Sequence, residues 1–296
     1  MVIYAGGAKP KSSGGGGGGS STKYGMSLDG LLGDIDENGV LQAPTEYIDF
    51  VGKGIKNVRA AALEYRFYYN RRLRSFSMPD LITLTEVNSM KFACYLCDSL
   101  ISIDLSNLTT ISGGNTCYSM FYGCSKTNSV DLSNLTTISG SGACQSMFYN
   151  CSAINSVDLS NLTTIYEGNA CYYMFYGCSK INSIDLSNLT TISGGSACYA
   201  MFYGCSTMNS IDLSNLATIS GSGACSYMFY NCSKLPSISF PKLQEITNSD
   251  AFNNMFQKCT ALTEIHFRAD MQATVEALTG YSSKFGATNA TIYFDL

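Results

Sequence analysis

The chain has 296 residues, of which 45% are hydrophobic and 14% charged, so it can bury a large core and falls outside the disordered class. Its formal net charge of −4 gives no broad positive surface, and we expect no binding to nucleic acid. No run of about 18 apolar residues is present, so we expect no membrane insertion. The opening residues lack the basic segment and long apolar run of a signal peptide, and we expect no secretion by that route.

We divide the chain into four parts. Residues 1–22 form a Gly/Ser-rich segment that includes the glycine run 14–19. This composition predicts a flexible linker, or a packed strand if several chains wrap together. Residues 23–62 are an N-terminal attachment or capping region. Within them, residues 34–39 match the first half of a calcium loop, but Thr45 stands where the bidentate acid belongs, so we interpret them as a polar turn.

Residues 63–261 repeat with an unbroken step of 27 residues. A period of this length is typical of a solenoid, in which stacked neighbours bury a core that no single unit can bury alone. We therefore predict an α/β solenoid. Eight units begin at Arg66, Ala93, Met120, Met147, Met174, Met201, Met228 and Met255.

The pattern inside one unit predicts its local structure. Alternating apolar residues over Ser183–Leu186 predict a short strand. The following Ser193–Gly195 predicts a turn. Apolar residues then fall at helical offsets and predict a short helix or a pair of helical turns: Ala197, Cys198, Met201, Phe202 and Cys205.

The position that closes this predicted helix alternates between glycine and asparagine. These two residues tolerate left-handed backbone, so the exchange predicts a positive φ in every unit. The position is Gly123, Asn150, Gly177, Gly204 and Asn231.

Most of the thirteen cysteines fall into two columns. A separation of seven residues within a unit exceeds disulfide reach along a helix, so we predict buried, reduced thiols that serve in packing. The Cys94–Cys97 motif invites a redox or zinc interpretation, but no second such motif completes a site, and we expect no metal. The first column is Cys97, Cys124, Cys151, Cys178, Cys205, Cys232 and Cys259; the second is Cys117, Cys144, Cys171, Cys198 and Cys225.

The order Cys-x-x-Ile-x-x-Ile-x-Leu-x-x-Leu-x-x-Ile, followed by a turn and Met-Phe-x-x-Cys, resembles the BspA-type leucine-rich repeat. That family usually has Ala-Phe-x-x-Cys and a shorter period, so this chain departs by a methionine and four extra residues. The resemblance covers residues 63–267. It implies a right-handed, curved solenoid with a sheet on one face.

Residues 262–296 are predicted to cap the array. Met271–Leu278 has helical composition, and Ala290–Phe294 is predicted to be a last strand that covers the apolar end. Residues 23–41 and the ending 266–295 resemble the ends of repeat proteins carried by phages and prophages of gut Firmicutes. This second resemblance implies a virion protein of the phage tail. It also implies contacts with other tail proteins through residues 1–62, and a homotrimer as tail proteins lead one to expect.

One candidate site is a column of carboxylates on the strand face. Stacked strands lie about 4.8 Å apart, where two unit charges repel by ~1 kcal/mol in water. This repulsion is compensated either by cations or a basic ligand, or by the flanking serines and solvent alone. Duplication of near-identical units would also repeat these aspartates without any function. The column is Asp104, Asp131, Asp158, Asp185 and Asp212.

The other candidate is tyrosine, of which the chain has 20, with no tryptophan. Tyrosine offers a large contact area with a polar tip, which suits recognition of proteins or sugars. The alternative is that these rings only pack between neighbouring units. One column is Tyr68, Tyr95, Tyr122, Tyr149, Tyr176, Tyr203 and Tyr230, and nearby are Tyr118, Tyr172, Tyr173, Tyr199 and Tyr227.

The sequence offers no constellation for catalysis, because His266 is its single histidine and the glycine run lacks a following Gly-Lys-Ser. We therefore expect no enzyme and no cofactor. We expect a recognition module, most concretely a phage tail-associated fibre or receptor-binding protein that contacts a bacterial cell-surface protein or glycan. The alternative is a BspA-like adhesin on a bacterial cell surface that binds proteins of a host or of neighbouring cells.

Overall fold

The computed structural model describes residues 54–71 and 73–296, and the backbone of residues 40–41. The predicted segment 1–22, most of the predicted region 23–62 and the half calcium loop at 34–39 lie outside the described residues. Within the described part, two short strands pair in parallel ahead of the repeats, β1 at Val40–Leu41 and β2 at Asn57–Val58.

The repeats form a parallel solenoid whose coils each advance 27 residues, which confirms the predicted fold class. The first strands of neighbouring coils pair in register within three separate sheets of four, two and three strands, for example Ser183 with Ser210. The prediction of a strand at Ser183–Leu186 is confirmed, with the strand ending at Asp185. These strands, the first ladder, are β3 Ser75–Ser77, β5 Ser102–Asp104, β7 Ser129–Asp131, β9 Ser156–Val157, β11 Ser183–Asp185, β13 Ser210–Asp212, β15 Ser237–Phe240, β17 Glu264–Phe267 and β18 Thr291–Phe294.

Each coil also contains a second, two-residue strand that the sequence analysis did not predict. Its threonine points outward and its isoleucine or leucine inward in most coils, and the strands make a seven-stranded parallel sheet. This second ladder consists of β4 Thr83–Leu84, β6 Thr110–Ile111, β8 Thr137–Ile138, β10 Thr164–Ile165, β12 Thr191–Ile192, β14 Thr218–Ile219 and β16 Glu245–Ile246.

The predicted helix is wrong: the segment that closes each coil is a ribbon of consecutive turns. In a helix every N–H would bond to the carbonyl four residues earlier. Here alternate N–H groups bond three residues back, as from Tyr199 to Ser196, at 3.1 Å. The N–H groups between them bond to the next coil, as from Cys198 to Ala224, at 2.8 Å. These turns therefore form a third ladder along the solenoid.

Left-handed residues at every fourth position produce this ribbon. In one coil they are Ser196, Ala200 and Gly204, with φ of 55°, 49° and 74°. The N–H of each such residue bonds to the next coil, as from Ala200 to Ser226 at 2.9 Å, and the N–H that follows it bonds three residues back, as from Met201 to Cys198 at 3.2 Å. The predicted positive φ at the alternating glycine and asparagine position is confirmed, with 69° at Gly123, 57° at Asn150, 72° at Gly177, 74° at Gly204 and 60° at Asn231.

The core runs along the array as stacked columns. One column of phenylalanines lies fully buried, with ring centroids 5.3 to 5.9 Å apart and planes within 10° of parallel from Phe121 to Phe256. All thirteen cysteines are buried free thiols, as predicted. In the first cysteine column each thiol lies close to a backbone carbonyl of the preceding coil, for example Cys151 to Phe121 at 3.0 Å.

The last coil is followed by helix α1 at Gln272–Glu276, 3₁₀ segments at Ala269–Met271 and Tyr281–Gly286, and strand β18. The helix and the strand lie where the sequence predicts them. Phe285 is fully buried against the ring of Phe252, and its carbonyl accepts the N–H of Phe256. No helix of the described residues is both long enough and apolar enough to cross a bilayer.

Candidate recognition surfaces

The first ladder carries a shallow groove along its outer face. Three adjoining depressions of about 510, 340 and 540 Å³ follow one another from coil to coil. Their walls are the outward serines and aspartates of the strands, such as Ser183 and Asp185. The predicted carboxylate column thus lines a continuous groove, with Asp104 facing Asp131 and Asp185 facing Asp212 in register.

Each aspartate of this column has a local partner. The carboxylate accepts a hydrogen bond from the backbone N–H two residues later, as Asp158 does from Ser160 at 2.9 Å. The same bond is present at Asp104, Asp131, Asp185 and Asp212, at 2.8 to 3.1 Å. This arrangement stabilises the turn after the strand.

At Asp104 these bonds also affect the acidity of the carboxyl group. Burial raises the pKa of Asp104, but hydrogen bonds from Ser106 and Ser77 outweigh it, so the pKa lies below its usual value. The described residues contain no group of three or more acidic, histidine or cysteine side chains arranged to hold a metal ion. The hydrogen bonds from the following residues give the aspartates a structural role in the turns, and a ligand for them stays a prediction.

The predicted tyrosine column is a stack of rings on the outer side of the turn ribbons, a surface we call the turn face. Successive centroids lie 4.2 to 5.0 Å apart and the planes lie within 15° of parallel, from Tyr68 to Tyr230. Each ring therefore covers the faces of its neighbours. The stack leaves ring edges and hydroxyl groups for contact with solvent or a ligand.

The environment of the stack makes the phenol of Tyr149 a weaker acid. Desolvation, together with neighbouring tyrosines, raises the pKa of Tyr149 to about 12. The stack ends where Lys258 lies 5.1 Å from the centre of the Tyr230 ring. A hydrogen bond with Lys258 lowers the pKa of Tyr230. The phenol at the end of the column is therefore shifted in the opposite direction to that of Tyr149 in its middle.

A second group of tyrosines lies beside this stack and differs between coils. Tyr172 and Tyr199 stack at 4.9 Å, and Tyr173 packs edge to face against Tyr172 and Tyr176. Tyr227 contacts Tyr199 at 5.3 Å. We call Tyr172, Tyr173, Tyr199 and Tyr227 the tyrosine cluster.

The predicted site residue Tyr118 lies apart from this cluster. Its ring packs edge to face on Phe92, with a centroid separation of 5.2 Å, and Lys91 lies 5.8 Å from its centre. Gln145 occupies the equivalent position in the coil between Tyr118 and Tyr172. The structure therefore groups Tyr172 with Tyr199 and leaves Tyr118 near the first coils.

Two members of the cluster stand in left-handed backbone, which the sequence analysis did not foresee. Tyr173 and Tyr227 both have φ of 57°. In the neighbouring coils this position is Ser146, Ala200 and Asn254. A bulky residue at positive φ is uncommon and costs about 1–2 kcal/mol. The signal available in the sequence was the four-residue spacing from Tyr173 to Gly177 and from Tyr227 to Asn231.

An asparagine column was also missed. Each side-chain amide donates to a carbonyl 28 residues earlier, as Asn161 does to Ser133 at 2.7 Å. The same bond links Asn134 to Ser106 and Asn188 to Ser160, each at 2.7 Å. These bonds hold neighbouring coils together at the turn after the first strand, so the column serves the scaffold.

Comparison with known proteins supports a repeat protein. The family model for BspA type leucine rich repeat regions matches residues 63–169, 117–218 and 172–281. No curated protein matches the chain. Among solved structures, a leucine-rich repeat protein from Bacteroides ovatus ATCC 8483 is 15% identical, and the match covers 85% of this chain and 89% of that one, with a TM-score of 0.19.

The family model describes a repeat region, and its matches together span residues 63–281, well over half of the chain. The in-register ladders show how these repeats stack. The chain therefore belongs to the family of proteins with BspA-type leucine-rich repeat regions.

Proposed function

We propose that this chain is a non-enzymatic recognition module that binds its partner through the tyrosine cluster on the turn face. The observation that carries the proposal is the left-handed backbone of Tyr173 and Tyr227. The backbone is left-handed at this position in every coil, and four coils have serine, alanine or asparagine there while two more have Tyr65 and Phe92, so the fold does not require an aromatic ring. Strained residues of this kind concentrate at functional sites.

The composition of the cluster supports this choice of surface. Four tyrosines of three adjacent coils contact one another and stay partly exposed. Tyrosine is enriched at protein interfaces because it supplies contact area at a small cost in side-chain entropy. The groove of the first ladder is the weaker candidate, because its aspartates already accept hydrogen bonds from the following turns.

The partner we propose is a protein or glycan on a bacterial cell surface. The turn face suits such a partner because its hydroxyl groups and ring edges recur from coil to coil, so a large or repetitive ligand meets several equivalent contacts. Weak single contacts that act together produce strong binding through a high effective concentration.

We propose a phage tail as the location of the protein, with residues 1–62 attaching it to other tail proteins. The support is the resemblance of both ends of the chain to repeat proteins of phages and prophages. Surface display on a bacterium as an adhesin is the alternative, and it is favoured by the BspA-type repeats themselves. Immunogold labelling of phage particles and of cells distinguishes the two locations.

The test of recognition is binding of fluorescently labelled full-length protein to intact cells of gut Firmicutes. Parallel samples of cells are treated with protease or with periodate, which destroy surface proteins or glycans respectively. We expect saturable binding that one of the two treatments abolishes. Binding that neither treatment reduces, or no binding to any cell tested, would count against a surface receptor.

Matched variants locate the site. Replacement of Tyr173 and Tyr227 together by asparagine copies the residue at position 254 and removes the rings, and we expect at least a tenfold weaker binding. The control replaces Asp158 and Asp185 by asparagine, which alters the groove and leaves the turn face intact. Loss of binding in the control variant alone would transfer the site to the groove.

A further inference from the structure

One coil departs from its copies where the second ladder meets the turn face. At the position of Tyr166 every other coil has serine or threonine. At the position of Glu167 the two coils on either side have glycine. The ribbon that follows contributes Tyr172 and Tyr173 to the tyrosine cluster. The two departures therefore lie directly before a segment of the proposed site.

Glu167 occupies a position where the fold favours glycine. The glycines of this column, if given a Cβ atom, would place it closer than 3.0 Å to the backbone of the preceding coil. They are Gly113, Gly140, Gly194 and Gly221. Glu167 instead adopts a left-handed φ of 75°, which is uncommon for a residue other than glycine. Neither steric room nor backbone conformation therefore accounts for a glutamate here.

Glu167 is also an isolated negative charge. The closing segments of four successive coils, residues 139–151, 166–178, 193–205 and 220–232, contain no other charged residue. The side chain is exposed, and it belongs to none of the ion pairs found among the described residues. A carboxylate that the chain itself leaves without a counter-charge favours a cationic partner.

Tyr166 places an exposed aromatic ring next to this glutamate in the chain. Its N–H donates to the carbonyl of Ile138 at 2.8 Å, which fixes its backbone against the preceding coil. In strand β10, Thr164 points outward and Ile165 inward, and the alternation brings Tyr166 outward again. Tyr166 is 49% exposed and takes part in none of the ring contacts found among the described residues. Unlike the stacked tyrosines, it therefore presents its ring to solvent.

We propose that Tyr166 and Glu167 together receive a lysine or arginine side chain of a partner protein at the edge of the turn face. An aromatic ring attracts a cation to its face, and a carboxylate pairs with an ammonium or guanidinium group. The inference rests on the proposed function and narrows its partner from a protein or glycan to a protein with a basic side chain. Glu167 then contributes to specificity, because it repels a partner with an acidic residue at that point.

The test is a selection of random peptides displayed on filamentous phage. The double variant Tyr166→Ser/Glu167→Gly copies Ser193 and Gly194 of the next coil, so its melting temperature should equal or exceed that of wild type. Peptides that bind this variant are removed first, which discards ligands of the aspartate groove and of other surfaces. The remainder are selected on immobilised full-length wild-type protein. We expect the selected peptides to share a lysine or arginine.

Single variants separate charge from shape. Glu167→Gln keeps the size of the side chain and removes its charge, so the selected peptides should bind about tenfold more weakly, with a smaller dependence on salt. Glu86→Gln makes the same change in the same column, next to Thr85 instead of a tyrosine, and should leave binding unchanged. Isothermal titration calorimetry at two salt concentrations measures both effects.

Three results would overturn the inference. In the first, no peptide remains after depletion on the double variant. In the second, the selected peptides lack basic residues or bind Glu167→Gln as tightly as wild type. In the third, the double variant melts well below wild type, which would assign Tyr166 and Glu167 to the fold.

Binding of the labelled proteins to intact cells separates this inference from the proposed function. If the variant at Tyr173 and Tyr227 loses binding and the double variant at Tyr166 and Glu167 does not, the inference fails and the proposed function stands. If basic peptides depend on Glu167 and wild type binds no cell tested, the inference stands and the proposed surface receptor fails.

Discussion

At the scale of single residues, the repeated letters of this chain have local structural tasks. The aspartates of the strands hold the turns that follow them, and the glycine or asparagine at the end of each ribbon accepts left-handed backbone. The residues that change between coils include the members of the tyrosine cluster. The sequence alone suggests that repeated residues serve the scaffold and variable residues serve other roles, because near-identical copies retain the residues on which folding depends.

Gly204 tests the backbone requirement. A Cβ atom at this glycine would meet nothing closer than 3.8 Å, so a side chain fits and only the φ of 74° opposes it. We expect Gly204→Ala to lower the free energy of unfolding by about 1 kcal/mol. Gly204→Asn should cost less, because Asn231 occupies the same position in the next coil. Denaturant unfolding of both variants measures the difference, and equal losses would contradict this explanation.

Asp158 tests the role of the carboxylates. Asp158→Ala removes the acceptor of the Ser160 N–H, and we expect a loss of about 1 kcal/mol in the free energy of unfolding. Asp158→Asn keeps an acceptor oxygen and relieves repulsion from the neighbouring aspartates, so its stability should stay close to wild type. Urea titrations check both values. A stabilising effect of the alanine variant would show that repulsion along the column outweighs the turn bond.

At the scale of elements, the sequence predicts the first strand and the register but not the closing segment. The apolar residues from Ala197 to Cys205 recur about every four positions, which fits a helix of 3.6 residues per turn as well as a ribbon of four-residue turns. The two structures differ in φ at one residue in four, and side-chain polarity does not report φ. The second strand was missed because two residues are too few to show alternation.

For the candidate site, the sequence predicts which tyrosines are neighbours but not the backbone conformation at Tyr173. A fixed period of 27 residues implies that Tyr149 and Tyr176 lie side by side, and the structure stacks them at 4.4 Å. The strain at Tyr173 was not predictable from a helical segment, in which no residue has positive φ. The glycine or asparagine that ends each ribbon marks a left-handed position, and counting back four residues from Gly177 would have identified Tyr173 as another.

His266 makes the attachment of the last strand depend on pH. Its Nδ1 lies 2.9 Å from Asp295, beyond the end of β18, and its Nε2 lies 3.5 Å from Glu264, while Tyr293 stacks on the ring. Burial lowers the pKa of His266, but the bonds to Asp295 and Glu264 outweigh it and raise the pKa above 6.5. The added stability is therefore complete below about pH 6.5 and is lost as the pH rises through the raised pKa.

Hydrogen exchange of the amides at residues 291–294 measures this dependence. After correction for intrinsic exchange rates, we expect stronger protection near pH 5.5 than near pH 8. His266→Gln should remove the difference, because glutamine does not titrate. Protection that is independent of pH in the wild-type protein would contradict a role for the imidazolium.

At the scale of the whole molecule, three ladders of backbone hydrogen bonds and stacked columns of side chains run along the solenoid. Each coil contacts mainly its neighbours, so stability is approximately a sum of coil and interface terms. Such a scaffold tolerates changes on its outer surface as long as the inward columns persist. The turn face can therefore vary for recognition while the phenylalanine and cysteine columns stay constant.

The central claim is that Tyr173 serves recognition and not the fold, and the free energy of unfolding of Tyr173→Asn tests it most directly. Relief of left-handed strain should offset the lost ring contacts, so we expect a value within about 0.5 kcal/mol of wild type. Phe175→Ala, two residues away in the buried stack, should cost about 3–5 kcal/mol and shows the size of a true scaffold effect. A loss of more than 2 kcal/mol in Tyr173→Asn would assign the tyrosine to the scaffold and contradict the claim.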